Sequence, residues 1–343
     1  MSQTTLSNSP FAPSSATVAF ATPHETDVEK EPASRSTNEQ AVVFGSHQHL
    51  VGVFHPTPRP IDRKTAAIFI TPGMLHSAGP FRLHVDLANT LGSRGVASLR
   101  FDLSGIGESL PIGSGGRSLD RASSEISQAI DWLQEQHGIQ QVILFGLCSG
   151  ADDSLHAAQQ DPRVCGVVAM DACGYPTPRF HWNRMIHHYL PRLASIHAWK
   201  RLARRVLHQS HASRWLLRAF PESSKPEYST MPMGTDLREY PSREIAKLEF
   251  QRLVDQGCRM HLIYTGGVSD TYNYAEQFFD MLRGVRWKNH ASVDYFPQMD
   301  HVAILCEDRQ KVVDRVVERI VDFTRENEQA ASRGSLPLLF ESP

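Results

Sequence analysis

The stretch Gln141-Val-Ile-Leu-Phe-Gly146-Leu147-Cys148-Ser149-Gly150-Ala151 leaves this chain few options. An apolar run of strand length enters a turn that has glycine two residues before and two residues after one apex residue, and a helical stretch follows at once. The apex of such a turn takes strained backbone, and strand and helix approach so closely there that the flanking positions must be small. Gly146 and Gly150 meet that demand around Cys148. Centring the turn on Ser149 would instead put Leu147 at the first small position, where its side chain clashes, so Cys148 is expected at the apex. The pattern is a nucleophile elbow with cysteine where serine is common.

Around this motif, short β-branched runs alternate with helical stretches, the pattern of a mostly parallel sheet with helices on both faces, an α/β fold. Strands are expected at Ala41–Phe44, Leu50–Phe54, Ala66–Ile70, Ala97–Phe101, Val142–Phe145, Val164–Met170, Met260–Tyr264 and Ser292–Phe296. Helices are expected at Phe81–Arg94, Arg117–His137, Ala151–Gln160, Glu244–Gln256 and Tyr274–Arg283. A last helix from about Asp308 to Thr324 carries Val312, Val313, Val316, Val317, Ile320 and Val321 as one apolar stripe. The expected organisation is a core over residues 41–173 and 244–328, a helical lid over 174–243, a disordered Ser/Thr/Pro-rich tail over 1–40 and a second tail over 329–343.

The segment 174–243 has no acid between Asp171 and Glu222, yet it holds Arg179, Arg184, Arg192, Lys200, Arg201, Arg204, Arg205, Arg214 and Arg218. One reading is a solvated basic face. The other is attraction of an anionic partner, such as a phosphopantetheine arm on an acidic carrier protein, coenzyme A or an anionic lipid headgroup. Across the whole chain, 35 Lys and Arg oppose 37 Asp and Glu, so the net charge of −2 speaks against a nucleic-acid partner. The five cysteines, Cys148, Cys165, Cys173, Cys258 and Cys306, lack C-x-x-C spacing, which argues against a disulfide framework or a zinc cluster and for a reducing, cytoplasmic setting. All but Cys148 are expected to be core residues. No run of about 18 apolar residues suggests a transmembrane span, and no dinucleotide, Walker or metal-ligand motif implies a cofactor or a metal.

The partners of Cys148 are expected at strand ends. After the third strand, Thr71-Pro72-Gly73-Met74 occupies the place of an oxyanion turn, so the implied donors are the backbone N–H groups of Met74 and Ser149. After the fourth, Asp102-Leu-Ser-Gly105-Ile-Gly107-Glu-Ser109 reads as a supporting turn. After the seventh comes Tyr264-Thr-Gly266-Gly267-Val-Ser-Asp270, and after the eighth Asp300-His301. The order Cys148, Asp270, His301 gives nucleophile, acid and base, with Asp171 at the end of the sixth strand as the alternative acid. A thiol at a helix N-terminus beside an imidazole has its pKa pulled below the free value of about 8.5.

With these motifs in their order, residues from about 41 to 326 resemble the α/β-hydrolase superfamily, in its serine-aminopeptidase-like branch. The segment Gly73-Met-Leu-His76 through Gly79-Pro80, with the Cys148 elbow, also resembles bacterial hydrolases that accompany exopolysaccharide and exosortase systems. Cysteine at the elbow is similar to dienelactone hydrolases and to thioesterase-type cyclases. The resemblance implies an eight-stranded hydrolase fold and an enzyme cleaving ester or thioester bonds through an acyl-enzyme. Acyl transfer or cyclisation on the same fold, and a catalytically silent ligand- or partner-binding fold, are the alternatives.

Overall fold

The computed structural model describes residues 39–112, 117–186 and 241–332. The expected N-terminal tail, most of the segment 174–243 with Arg192, Lys200, Arg201, Arg204, Arg205, Arg214 and Arg218, and the end of the chain past 332 lie outside the described residues.

Among those residues, eight strands form one sheet: β1 Gln40–Phe44, β2 Leu50–His55, β3 Thr65–Ile70, β4 Ala97–Phe101, β5 Gln141–Leu147, β6 Val164–Met170, β7 Arg259–Thr265 and β8 Ala291–Phe296. Their spatial order is β1-β2-β4-β3-β5-β6-β7-β8, and only β2 runs against its neighbours. Six of the eight expected strands are recovered with one or two residues added at the ends, and Ala97–Phe101 and Val164–Met170 are recovered as they stand. The central strands are hydrophobic on both sides because helices cover both faces. Ala66, Ile68, Ile70, Val142 and Leu144 pack with α2 (Ser118–His137), α3 (Ser149–Gln160) and a helix at Arg243–Asp255. Ala67, Phe69, Ile143 and Phe145 pack on the other side with α1 (Leu83–Ser93) and the C-terminal helix Cys306–Ser332. Each fully buried aliphatic or aromatic side chain contributes about 1.5–3 kcal/mol.

Three helices depart from expectation. Phe81 and Arg82 take positive φ of 48° and 66°, so α1 begins only at Leu83. The Tyr274–Arg283 stretch shrinks to one turn at Gln277–Met281, because the Gln277 amide bonds the Thr271 carbonyl and the Asn273 N–H and the Tyr272 hydroxyl donates to the Ala275 carbonyl, holding the preceding loop backbone out of a coil. The C-terminal helix is longer than its apolar stripe, running from Cys306 to Ser332. From here the helices are numbered α4 Pro178–Arg184, α5 Arg243–Asp255, α6 Gln277–Met281 and α7 Cys306–Ser332.

The tightest packing lies where β5 hands over to α3. A methyl group on Gly146 would overlap the Gly150 carbonyl, and one on Gly150 would come 2.6 Å from the Ile70 carbonyl oxygen and 3.0 Å from that of Thr71. Three backbones, β5, α3 and the end of β3, therefore converge with no room for a side chain. Gly146→Ala is expected to lower the unfolding free energy by about 1–3 kcal/mol, the scale of overpacking against atoms that cannot rotate away. A denaturant midpoint equal to wild type would show that the strand and helix can separate.

Candidate active site

Between Leu147, the last residue of β5, and Ser149, the first of α3, Cys148 has φ 56° and ψ −122°. That conformation is costly for any residue with a Cβ and is held by the glycine contacts on either side together with a bond from the Cys148 N–H to the Met170 carbonyl (2.8 Å). The side chain is left half-buried above the sheet edge. Its thiol hydrogen-bonds His301, and this bond holds the Cys148 pKa below the ordinary thiol value. Burial and the nearby Asp152 carboxylate oppose the shift, while the charge of His301 and the Ser149 N–H support it.

His301 lies on the loop after β8. Its Nδ1 sits 2.8 Å from Oδ2 of Asp171, and its pKa is pushed up to about 10, first by that carboxylate and next by the Cys148 sulfur. Gly266 and Gly267 make this approach possible: a Cβ on Gly267 would collide with the His301 backbone, and one on Gly266 with the Pro297 carbonyl.

The acid in contact with the histidine is thus Asp171 and not Asp270, which corrects the first expectation. Asp171 is the residue immediately after β6. It turns left-handed at φ 52°, and its carboxylate, fully shielded from solvent, accepts from the Thr265 N–H (2.7 Å), the Thr265 hydroxyl (2.7 Å) and His301. Asp270 stands five residues past the end of β7. The intervening turn at Gly266–Val268 carries it outward, where its side chain is 94% exposed and only 3.8 Å from a guanidinium nitrogen of Arg184.

The turn after β3 approaches the elbow from the other side. Gly73 has φ 57° and donates its N–H to the Ser149 hydroxyl at 2.5 Å, while the side chain of Met74 points into solvent. Asp102, the buried carboxylate of the turn after β4, accepts the Ser77 N–H at 2.5 Å.

A family model described as serine aminopeptidase, S33, matches residues 62–265. The chain belongs to that family of α/β hydrolases. No curated protein sequence matches it. Among solved structures, the Pyrococcus furiosus esterase Pf2001 in one crystal form is 15% identical with a TM-score of 0.51, covering 88% of this chain and 97% of the esterase. Another crystal form is 13% identical with a TM-score of 0.50, covering 88% and 100%. The α/β hydrolase GrgF from Penicillium sp. sh18 is 18% identical over 84% of this chain and 98% of its own, with a TM-score of 0.47. At these identities the likeness is one of fold.

Within this serine-named family the apex of the present elbow is cysteine, and the neighbouring Ser149 is a helix residue whose hydroxyl bonds the β3 turn. The sequence reading missed Thr265, whose two donors fix the Asp171 carboxylate. A threonine ending the strand adjacent to the Asp171 strand was the available signal. It also placed Cys306 in the core, whereas Cys306 is exposed at the start of α7. Of the basic residues between 174 and 243, Arg179 pairs with Glu276 (3.2 Å) and lies over the Tyr274 ring (4.4 Å), so it and Arg184 face acids of this chain. Among the described residues no cluster of His, Cys, Asp or Glu could hold a metal, and no helix is long and apolar enough to cross a membrane.

Asp171→Asn keeps a residue that tolerates positive φ but turns an amide N–H toward His301 Nδ1, driving the ring to the tautomer whose proton faces Cys148. Turnover of an activated ester is expected to fall by about 10²-fold or more. The alkaline limb of the pH profile, set in wild type by His301 near 10, should move to lower pH because the raising carboxylate is gone. Asp270→Asn should change neither, and the opposite ranking would restore Asp270 as the acid.

Alkylation by iodoacetamide at neutral pH gives a second check. Cys148 should react first, because its pKa is lowered, and exposed Cys306 next. Cys165 and Cys173, both pushed up to about 12 by burial, and Cys258, pushed higher still by burial, should react last. Peptide mass spectrometry that finds Cys148 among the slow thiols would contradict the depressed pKa.

Proposed function

We propose that this hydrolase cleaves ester or thioester bonds through a covalent acyl-cysteine, with Cys148 as nucleophile, His301 as base and acid, and Asp171 as the group orienting His301. The observation that carries the reading is the unbroken chain of hydrogen bonds from the Cys148 thiol through His301 to Asp171. His301 pulled up and Cys148 pulled down both favour a thiolate beside an imidazolium. The sulfur attacks the carbonyl carbon, and the carbonyl oxygen gains charge facing the Met74 and Ser149 N–H groups. Collapse expels the alkoxide or thiolate leaving group, which takes the His301 proton. Neutral His301 then draws a proton from water as the water attacks the acyl-cysteine, and the acid leaves.

Exposed apolar side chains support an acyl substrate with a hydrophobic tail. Met74, Leu75 and Phe81 stand on the segment after β3, and Ile304 and Leu305 on the loop that carries His301. Arg309 ties the two by lying over the Phe81 ring (5.7 Å) while bonding the Ile304 carbonyl. The thioester intermediate also favours a second reading, transfer to an amine or alcohol, since sulfur is a better leaving group than a serine oxygen. On either reading the acyl donor is a small molecule, and carriage on coenzyme A or a carrier protein belongs to the same proposal.

Incubation with a p-nitrophenyl acyl ester followed by rapid acid quench should trap the acyl mass on the Cys148 peptide. Cys148→Ala should lose turnover by about 10⁴-fold or more, as for removal of any covalent nucleophile. Adding a primary amine and measuring amide against free acid separates transfer from hydrolysis. Turnover by Cys148→Ala at the wild-type rate would end the acyl-cysteine reading.

A further inference from the structure

The segment from Gly73 to Gly79, which carries the Met74 N–H, is short, and two backbone-to-backbone turn bonds brace it locally, Leu75 N–H to the Pro72 carbonyl (3.1 Å) and Gly79 N–H to the His76 carbonyl (2.9 Å). Its placement comes from outside. At one end the Ser149 hydroxyl accepts the Gly73 N–H at 2.5 Å, so the residue after the nucleophile reaches across from α3 to the β3 turn. At the other end Ser77 is gripped through both of its backbone polar groups. Asp102 takes the N–H at 2.5 Å, and His84 Nδ1 lies 3.2 Å from the carbonyl oxygen. His84 is fully buried and its pKa is pushed down to about 4, so at neutral pH the ring is uncharged and its Nδ1 proton is the one that meets this oxygen.

Asp102 is itself fixed. It is 1% exposed, its Oδ2 accepts the Glu108 N–H (3.3 Å) and lies 3.5 Å from His76 Nε2, and its carbonyl takes the Ser109 hydroxyl (2.6 Å). The His76 ring accepts the Ala78 N–H at Nδ1, which leaves its remaining proton on the nitrogen facing Asp102. A methyl group on Gly107 would overlap the Asp102 carboxylate, so that glycine leaves the carboxylate its place.

We propose that Ser149 and Asp102 are positioning residues of the acylation step, clamping the two ends of the 73–79 segment through Gly73 and Ser77 and so setting the Met74 N–H where the carbonyl oxygen develops charge. The proposal rests on the acyl-cysteine reading above. It gives the D-x-x-G-x-G-x-S turn and the residue beside the nucleophile a share in rate as well as in stability.

Two reactions of the same thiolate separate the roles. Alkylation by iodoacetamide displaces iodide at a saturated carbon and builds no oxyanion, so it reports only Cys148 and His301. Acylation by an ester needs the donor held in place. In the full-length protein, Ser149→Ala should slow single-turnover acylation by p-nitrophenyl butyrate by about 10- to 100-fold, less than the roughly 10²–10³-fold of a deleted donor. Its alkylation rate and melting temperature should stay at wild-type values, and Ser149→Thr should recover most of the acylation. Asp102→Asn should act in the same direction, because its amide turns a donor toward the Glu108 N–H and His76. Ser149→Ala alone decides the matter where Asp102→Asn does not fold. Acylation at the wild-type rate in Ser149→Ala, or acylation and alkylation falling in proportion, would overturn the clamp. Failure of the acyl-cysteine reading shows differently, as a Cys148→Ala enzyme that still turns over.

Discussion

The convergence of three backbones at Gly146 and Gly150 sets the terms for everything above the sheet. Because β5, α3 and the end of β3 meet with no side chain between them, the residue joining strand to helix has to turn through positive φ, and Cys148 does so at 56°. Such a conformation costs of the order of 1–3 kcal/mol for a non-glycine residue and persists only where packing enforces it. Here the enforcement comes from backbone against backbone, which cannot relax by changing a rotamer. The thiol is thereby lifted clear of the strand and set at the N-terminus of α3.

A second strand end repeats the device. Asp171 also takes positive φ, one residue past β6, and the adjacent β7 ends on Thr265 with an N–H and a hydroxyl both aimed at the carboxylate. Cys148 and Asp171 therefore follow directly on neighbouring parallel strands, held by sheet hydrogen bonds, while His301 arrives on a loop that two glycines of the β7 turn allow to come close. Only the histidine, one third exposed, belongs to a segment without sheet or helix bonding. That division suits the role proposed for His301, which gives and takes a proton in turn.

The strands, their order along the chain and the elbow were legible in the sequence because each has a short-range signature. Short β-branched runs marked β1 to β8, and the symmetric glycines singled out Cys148 over Ser149. The choice between Asp171 and Asp270 has no such signature. Both follow a strand, and the decision depends on how far past the strand end each lies and on what the neighbouring strand offers. Asp171 begins the turn and meets Thr265, whereas Asp270 lies five residues past the end of β7 and is carried into solvent. The bonds from Ser149 to Gly73 and from Asp102 to Ser77 span 76 and 25 positions, and nothing local to either residue announces them. Cys306 was misplaced for a related reason: a cysteine opening an amphipathic helix lies outside the apolar stripe that docks the helix.

Cysteine at this apex changes what the surrounding groups must do. A serine hydroxyl, with its very high pKa, stays protonated until it attacks, so its histidine must remain a neutral base in the resting enzyme. Here the same Asp171 contact that orients the ring also raises its pKa to about 10, and the lowered Cys148 pKa favours passage of the sulfur proton to the imidazole. On the proposed reading the carboxylate supports the charge of a resting ion pair as well as that of a transition state. On the proposed acyl-cysteine route, attack by a thiolate needs no proton transfer, and the demanding moments become delivery of the His301 proton to the leaving group and stabilisation of the carbonyl oxygen. The second of these falls on backbone N–H groups, whose aim depends on the turn after β3. An acyl-cysteine so formed is a thioester, reactive toward water and amines alike. On the proposed route the product is decided by which of them reaches the carbonyl past the apolar side chains of the β3 and His301 segments, so access and not nucleophile activation would separate hydrolysis from transfer.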